Sequence, residues 1–123
     1  MAHLLAFNVE KGEFTEFEQK TLQDFYDHLG CDCFDIATRS VNGKYFDMFV
    51  DDIGLFRKNP IPSAVSEDGA VMLVGNIVFA NHDDMGNTTS LSTDDIKHIK
   101  NALIEVGNET SNKRWKVIYP VEY

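Results

Sequence analysis

The sequence predicts a single α+β domain over residues 1–123, with a mainly antiparallel sheet and two main helices. Three observations support this prediction. The chain has 123 residues, of which 43% are hydrophobic and nine are phenylalanine, enough for one buried core. The pair Asn42-Gly43 lies between two apolar runs and is a strong β-hairpin signal. Two segments, near residues 21–30 and 92–107, have the apolar spacing and end signals of helices.

The N-terminal region begins with a short apolar run, Leu4 to Val9, which predicts an opening strand. The segment Phe14 to Glu18 has two interpretations. It returns as the second strand of a hairpin after the turn glycine Gly12, or it belongs to a longer helix that begins at Thr15, because its phenylalanines also fit a helical spacing.

The first helix is predicted from Thr21 to Gly30. Thr21 is a suitable N-cap, Asp24 favours the positive end of the helix dipole, and Gly30 supplies a left-handed end. The apolar stripe consists of Leu22, Phe25, Tyr26 and Leu29.

A hairpin around Asn42-Gly43 follows, with Val41 opposite Lys44 and Ile36 opposite Phe49. Strand alternation then gives two largely apolar faces, so the hairpin lies between two layers or offers one face to a partner. One face carries Phe34, Ile36, Thr38, Tyr45, Asp47 and Phe49, and the other carries Cys33, Ala37, Phe46, Met48 and Val50. The candidate partner surface is formed by Phe34, Ile36, Tyr45, Asp47 and Phe49.

The next segments are a turn at Asp51–Gly54, a break at Asn59-Pro60-Ile61-Pro62, and a buried strand from Val71 to Ala80. Gly75-Asn76 interrupts this strand and indicates a bulge or a close backbone approach.

The second helix is capped by Ser92, with Asp95 three residues later, and is expected to end at Gly107. Its predicted apolar stripe is Ile96, Ile99, Leu103 and Val106. Trp115 to Val121 predicts a final strand near a sheet edge, because Pro120 cannot donate a ladder hydrogen bond.

Several motifs follow one another in a specific order between residues 21 and 102. They are Thr21-Leu22, Leu29-Gly30, Val50-Asp51-Asp52-Ile53-Gly54-Leu55, Asn59-Pro60, Val74-Gly75-Asn76-Ile77-Val78 and Ser90-Leu91-Ser92-Thr93-Asp94-Asp95-Ile96. In this order they resemble the domain-of-unknown-function family 3846, small proteins found in phages and mobile elements. The resemblance implies phage or plasmid genes expressed inside bacteria, and it assigns no activity.

The charge balance limits the choice of partners. Twenty acidic and eleven basic residues give a formal net charge of −9. This disfavours direct nucleic-acid binding, which depends on lysine and arginine, and favours a basic host protein as partner. No apolar run approaches the roughly 20 residues of a membrane span, and the N-terminus lacks signal-peptide features, so we expect no membrane and a cytoplasmic location.

No catalytic, metal or cofactor site is predicted. Asp47 and Asp51 share a strand face but are separated by roughly 13 Å, too far for one metal ion. His82-Asp83-Asp84 is a compact group that is typical of a solvated loop. The only cysteines, Cys31 and Cys33, point to one face if the segment is extended, and without two further ligands they are expected to be structural thiols.

Three functional hypotheses follow. The first is a non-enzymatic accessory protein that binds a host protein, with a homodimer as a further use of the same surface. The second is a small-ligand module, for example for a nucleotide signal, with Arg39, Arg57 and Lys58 as phosphate-binding candidates. The third is a minor hydrolase that uses scattered aspartate and histidine residues.

Overall fold

The structure is a computed structural model that describes residues 2–54, 60–108 and 113–123. Its elements are β1 (Ala2–Asn8), β2 (Glu13–Gln19), α1 (Leu22–Leu29), β3 (Phe34–Val41), β4 (Lys44–Asp51), β5 (Pro62–Val65), β6 (Val71–Val74), β7 (Ile77–His82), β8 (Thr88–Thr89), α2 (Thr93–Lys100), β9 (Leu103–Asn108), β10 (Lys113–Ile118) and β11 (Val121–Glu122). The predicted α+β class, with two helices and mainly antiparallel strands, is confirmed.

The strands form two sheets. Within the described residues, a large sheet of seven strands has the order β11-β3-β4-β7-β1-β2, with β8 paired to β7. A small sheet of four strands has the order β6-β5-β10-β9. The pairing of β5 with β10 is parallel, whereas neighbouring strands of the large sheet run antiparallel.

The large sheet is covered differently on its two faces. Its inner face packs against the small sheet and α2, and its outer face packs against α1. The inner core includes Phe7, Phe46, Met48, Phe79, Ile99 and Ile118, and the outer core includes Leu4, Phe25, Leu29, Phe49 and Val78. Burial of both faces explains why the strands are apolar on both sides.

The N-terminal region confirms the hairpin interpretation of Phe14 to Glu18, because β2 pairs antiparallel with β1 over its whole length. In α1, Thr21 is the N-cap and Gly30 ends the helix with a φ of 69°. The Asp24 carboxylate accepts backbone hydrogen bonds from Lys20 and Thr21 at 2.7 and 2.9 Å. The predicted apolar stripe is wrong at Leu22, which is exposed because only the next turns of α1 lie over the sheet.

The β3–β4 hairpin has the predicted register. Val41 pairs with Lys44 and Ile36 with Phe49. Asn42 and Gly43 both have positive φ, 47° and 89°, as a type I′ turn requires.

The sequence predicts one buried strand from Val71 to Ala80, with a bulge or a close backbone approach at Gly75-Asn76, and the single strand is wrong because the structure has two strands here. Gly75, with a φ of 78°, separates β6 in the small sheet from β7 in the large sheet. Asn76 stabilises the crossing because its Oδ1 accepts the backbone N–H of Val9 at 3.0 Å. The backbone N–H of Gly75 donates to the carbonyl of Ile61 at 2.9 Å.

The second helix begins as predicted but ends earlier. The Asp95 backbone N–H donates to Ser92 Oγ, and the Ser92 backbone N–H donates to Asp95 Oδ2, which forms a capping box. The helix ends at Lys100, and the predicted continuation through Leu103 and Val106 is instead β9, paired with β10. Sheet pairing therefore overrides a helical spacing of apolar residues.

The C-terminal segment also changes sheets. The predicted single strand from Trp115 to Val121 is divided at Tyr119-Pro120. β10 lies inside the small sheet between β5 and β9, and β11 forms an edge of the large sheet beside β3. The edge position that Pro120 indicates thus holds for β11 but not for β10.

Two other predictions concern cysteines and the proline-rich break. Cys31 is buried in the outer core and Cys33 is exposed, so the two thiols do not share a face, because residues 31–33 are not a strand. Pro62 begins β5, whereas Asn59 lies outside the described residues, as do Leu55, Arg57 and Lys58. Among the residues with a described structure, no helix is long and apolar enough to cross a bilayer.

Candidate functional site

The outer face of the β3–β4 hairpin is half covered. At one end, Phe25 of α1 stacks on Phe49 with ring centroids 4.4 Å apart, and Phe34 packs beside both rings. Phe49 is therefore only 3% exposed, and Phe34 is partly buried. Both members of the predicted partner surface pack under α1. Phe49 is therefore almost inaccessible to a partner, contrary to the expectation from the sequence, and Phe34 is only partly accessible.

The other end of this face is open. Ile36 is 52% exposed and Tyr45 is 59% exposed, and Thr38 lies between them. His82 of β7 points to the same face, since it lies two residues after Ala80, the partner of Asp47. We name the exposed group Ile36, Thr38, Tyr45 and His82 the hairpin patch.

A buried carboxylate holds the centre of the hairpin patch. Asp47 is 8% exposed, and its Oδ1 accepts the Thr38 hydroxyl at 2.8 Å. Its Oδ2 lies 2.8 Å from Nδ1 of His82, whose side chain is half exposed. Asp47 thereby orients two polar groups at the surface, the Thr38 hydroxyl and the His82 imidazole.

Tyr45 is oriented by the C-terminus of the described chain. Its hydroxyl donates to the carbonyl oxygen of Tyr123 at 3.1 Å, just beyond β11. Arg39 is also engaged there, since its guanidinium lies 4.5 Å from the centre of the Tyr123 ring and donates to the carbonyl of Thr38. Of the predicted phosphate-binding candidates, Arg39 is thus already in use, and Arg57 and Lys58 lie outside the described residues.

The tripeptide His82-Asp83-Asp84 is not one site. His82 turns to Asp47, whereas Asp83 Oδ1 accepts the backbone N–H groups of Met85 and Asn87, both at 2.9 Å. The hydrogen bond from the Asn87 backbone is the main reason why the pKa of Asp83 is lowered. Asp83 therefore shapes the turn before β8, and Asp84 is exposed in that turn.

A second feature is a cavity of about 200 Å³ between the end of the β3–β4 hairpin and β6, which we name the inter-sheet cleft. Its walls are apolar and come from Val50 and the whole of β6. Three acidic residues also line the cleft, Asp35, Asp51 and Asp52. Gly54, in the turn after β4, lines it as well. A Cβ atom at position 54 would lie 3.0 Å from Cγ2 of Val74, so glycine allows the turn after β4 to contact β6.

A neighbouring cavity of about 350 Å³ shares Asp51 and Gly54 with the inter-sheet cleft. It is lined by Asn8, Val9, Glu10, Leu29, Gly30, Asp51, Gly54, Pro60, Ile61, Gly75 and Asn76. Motifs that lie far apart in the sequence, Leu29-Gly30, Asp51–Gly54 and Gly75-Asn76, therefore meet at one end of the molecule. No sequence pattern indicates this meeting, because it depends on the strand crossing at Gly75.

Sequence reasoning also missed the Asp47–His82 pair. The two residues are 35 positions apart, and no local pattern relates them. The alternation of side chains along a strand places Asp47 and His82 on the same face, but only once β7 is known to lie beside β4. In the described part of the chain, no group of three or more histidine, cysteine, aspartate or glutamate side chains is arranged to hold a metal ion.

Comparison with protein families finds a match over residues 3–104 to the family described as Domain of unknown function (DUF3846). Neither the curated proteins nor the solved structures contain a match to this chain.

Proposed function

Since the chain belongs to the DUF3846 family, whose description assigns no activity, we propose a function from the geometry of its surface: the protein is a non-enzymatic binding module that recognises a basic host protein through the hairpin patch. The resemblance noted in the sequence supports a role as an accessory protein of phages or mobile elements, acting in the bacterial cytoplasm.

The observation that carries the proposal is the half-open outer face. α1 covers Phe34 and Phe49 but leaves Ile36 and Tyr45 mostly exposed on the same strands. The patch spans about 13 Å along β3, because four residues of strand separate Ile36 from Ser40, the partner of Tyr45. Exposed apolar and aromatic side chains around satisfied polar groups are typical of protein interfaces.

The net charge supports a basic partner. A formal charge of −9 produces an attractive field for a positively charged surface and speeds its association. The same field repels nucleic acid, which disfavours direct binding to DNA or RNA.

The experiment is a capture of partners from a bacterial host lysate with the wild-type protein, Ile36→Ala and Ile104→Ala. Ile104 is a matched control because it is also an exposed isoleucine but lies on β9 in the small sheet. The proposal expects a basic protein that is retained by wild type and Ile104→Ala, lost with Ile36→Ala, and bound more weakly as salt rises. Tight, salt-insensitive binding to duplex DNA contradicts the proposal.

A minor hydrolase is a second candidate, because the Asp47–His82 pair has the geometry in which a carboxylate orients an imidazole. In that role the ring would act as a general base towards a hydroxyl, a thiol or water, and among the described residues no serine, threonine or cysteine side chain is hydrogen-bonded to the His82 imidazole. A panel of phosphoesterase, protease and deaminase substrates decides between the two. Turnover that Asp47→Ala and His82→Ala both abolish establishes the hydrolase and refutes the binding module.

A small-ligand module is the third candidate, and the inter-sheet cleft with its neighbouring cavity favours it. Native mass spectrometry of the purified protein tests it directly. A co-purified small molecule of defined mass supports the ligand module, and the mass of the polypeptide alone supports the binding module.

A further inference from the structure

We propose that the inter-sheet cleft receives a lysine or arginine side chain of the basic protein partner. This inference rests on the proposed function, because it specifies how that partner is recognised at a second place. The cleft differs from the hairpin patch in position. Asp35 and Val50 face the small sheet, whereas their neighbours Ile36 and Phe49 face outwards.

The walls of the cleft suit the methylene chain of a basic side chain. Val50, Val71 and Val74 present branched aliphatic groups around a volume of about 200 Å³. Val71 is 52% exposed although it is apolar, because β6 is the edge strand of the small sheet. A long aliphatic stem with a charged end can bury its methylene groups against such a surface while its charge stays in water.

The carboxylates of the cleft suit the charged end of that side chain. Asp35 and Asp52 are exposed where they line the cleft. The apolar groove therefore has an acidic lining that is complementary to a cation, which makes a basic side chain a better occupant than an apolar one.

The same charges disfavour a second copy of the chain as the occupant. A symmetric contact through the cleft would bring the aspartates of two copies together, and each copy already carries a net charge of −9. Like charges at a contact oppose association. A basic partner at the cleft does not meet this repulsion, whereas a second copy of the chain does.

The test uses the isolated protein and a defined probe, N-acetyl-lysine methylamide, with the uncharged norleucine analogue as control. Backbone amide signals are followed by NMR during titration. The expected result is a saturable shift at Val50, Asp52 and Leu73 with the lysine probe and at least a threefold weaker effect with norleucine. The double variant Asp35→Asn/Asp52→Asn is expected to weaken lysine binding three- to tenfold.

Asp84→Asn is the matched control, because it removes one exposed carboxylate at the opposite end of the large sheet. It should leave the titration unchanged. Equal binding of lysine and norleucine, or no saturable shift at these amides, overturns the inference. Shifts of the same amides with protein concentration alone also overturn it, because the occupant is then a second copy.

The result of the lysine titration does not decide whether the proposed function is correct. The probe reports on the cleft in the absence of any partner, whereas partner capture with Ile36→Ala reports on the hairpin patch. Loss of the captured partner with Ile36→Ala but no binding of the lysine probe leaves the binding module intact and removes only the cleft.

Discussion

Nδ1 of His82 lies 2.8 Å from Oδ2 of Asp47, although the two residues are 35 positions apart in the sequence. The contact joins the end of β7 to the middle of β4 and places a fixed imidazole on an open sheet face. Since Asp47 is buried and also accepts the Thr38 hydroxyl, it organises the polar centre of the surface to which we assign partner binding.

Replacement of Asp47 should therefore reduce stability. Asp47→Ala removes the acceptor of Thr38 and His82 at a buried position and should lower the free energy of unfolding by about 1–3 kcal/mol. Asp84→Ala, in an exposed turn nearby, should change it by less than about 0.5 kcal/mol. Urea denaturation of both variants measures the difference. Equal stabilities for the two variants would show that the Asp47 contacts have no structural role.

Asp95 gives a prediction for acid unfolding. Its side chain accepts hydrogen bonds from the Lys44 ammonium, the Asn81 amide and the Ser92 backbone while it is only 4% exposed. Burial raises the pKa of Asp95, but the hydrogen bonds from Lys44, Ser92 and Asn81 outweigh it and lower the pKa to about 2.

Because the folded pKa lies below the ordinary value of 3.8, this contribution is present above about pH 4 and is lost as the pH falls towards 2. It amounts to roughly 2 kcal/mol. Denaturation of Asp95→Asn between pH 2 and 6 checks it: the variant should be destabilised at pH 6 and should lose less stability on acidification than wild type. Asp94→Asn, an exposed neighbour in the same helical turn, should follow the wild-type pH curve. An Asp95→Asn curve parallel to wild type contradicts the assignment.

These contacts mark the limit of what sequence alone predicts. The Asn42-Gly43 turn fixes its hairpin register, because the turn type depends on two adjacent residues. Ser92 and Asp95 fix the start of α2 for the same local reason. The chain passes from the small sheet to the large sheet at Gly75 and again at Pro120. The sequence does not predict these changes of sheet, because they leave the alternation of side chains along the strand unchanged. The pairing of Asp47 with His82 cannot be predicted from the sequence, because it depends on the crossing at Gly75 that places β7 beside β4.

His3 gives a prediction for how stability depends on pH near neutrality. Nε2 of its imidazole lies 2.9 Å from a Glu16 oxygen, and Nδ1 lies 2.7 Å from a Glu18 oxygen. The hydrogen bond to Glu16, followed by that to Glu18, raises the pKa of His3 above 6.5. The stabilising effect is therefore complete below pH 6.5 and is lost as the pH rises through the higher folded pKa.

An NMR titration of the His3 imidazole measures this pKa. In Glu16→Gln the value should fall towards 6.5, because the main charged partner is absent. Glu10→Gln, an exposed residue outside this cluster, should leave it unchanged. A His3 pKa at 6.5 or below in the wild-type protein contradicts the geometry of the cluster.

The proposed function requires that the hairpin patch binds a protein. The most direct measurement is the affinity of Tyr45→Ala for the captured partner, together with its circular dichroism spectrum and melting temperature. Because Tyr45 is 59% exposed, we expect a loss of about 2 kcal/mol in binding, roughly 30-fold, while the spectrum and melting temperature stay near wild type. A large drop in melting temperature would show that Tyr45 belongs to the core, and unchanged affinity would show that the partner binds elsewhere; either result contradicts the claim.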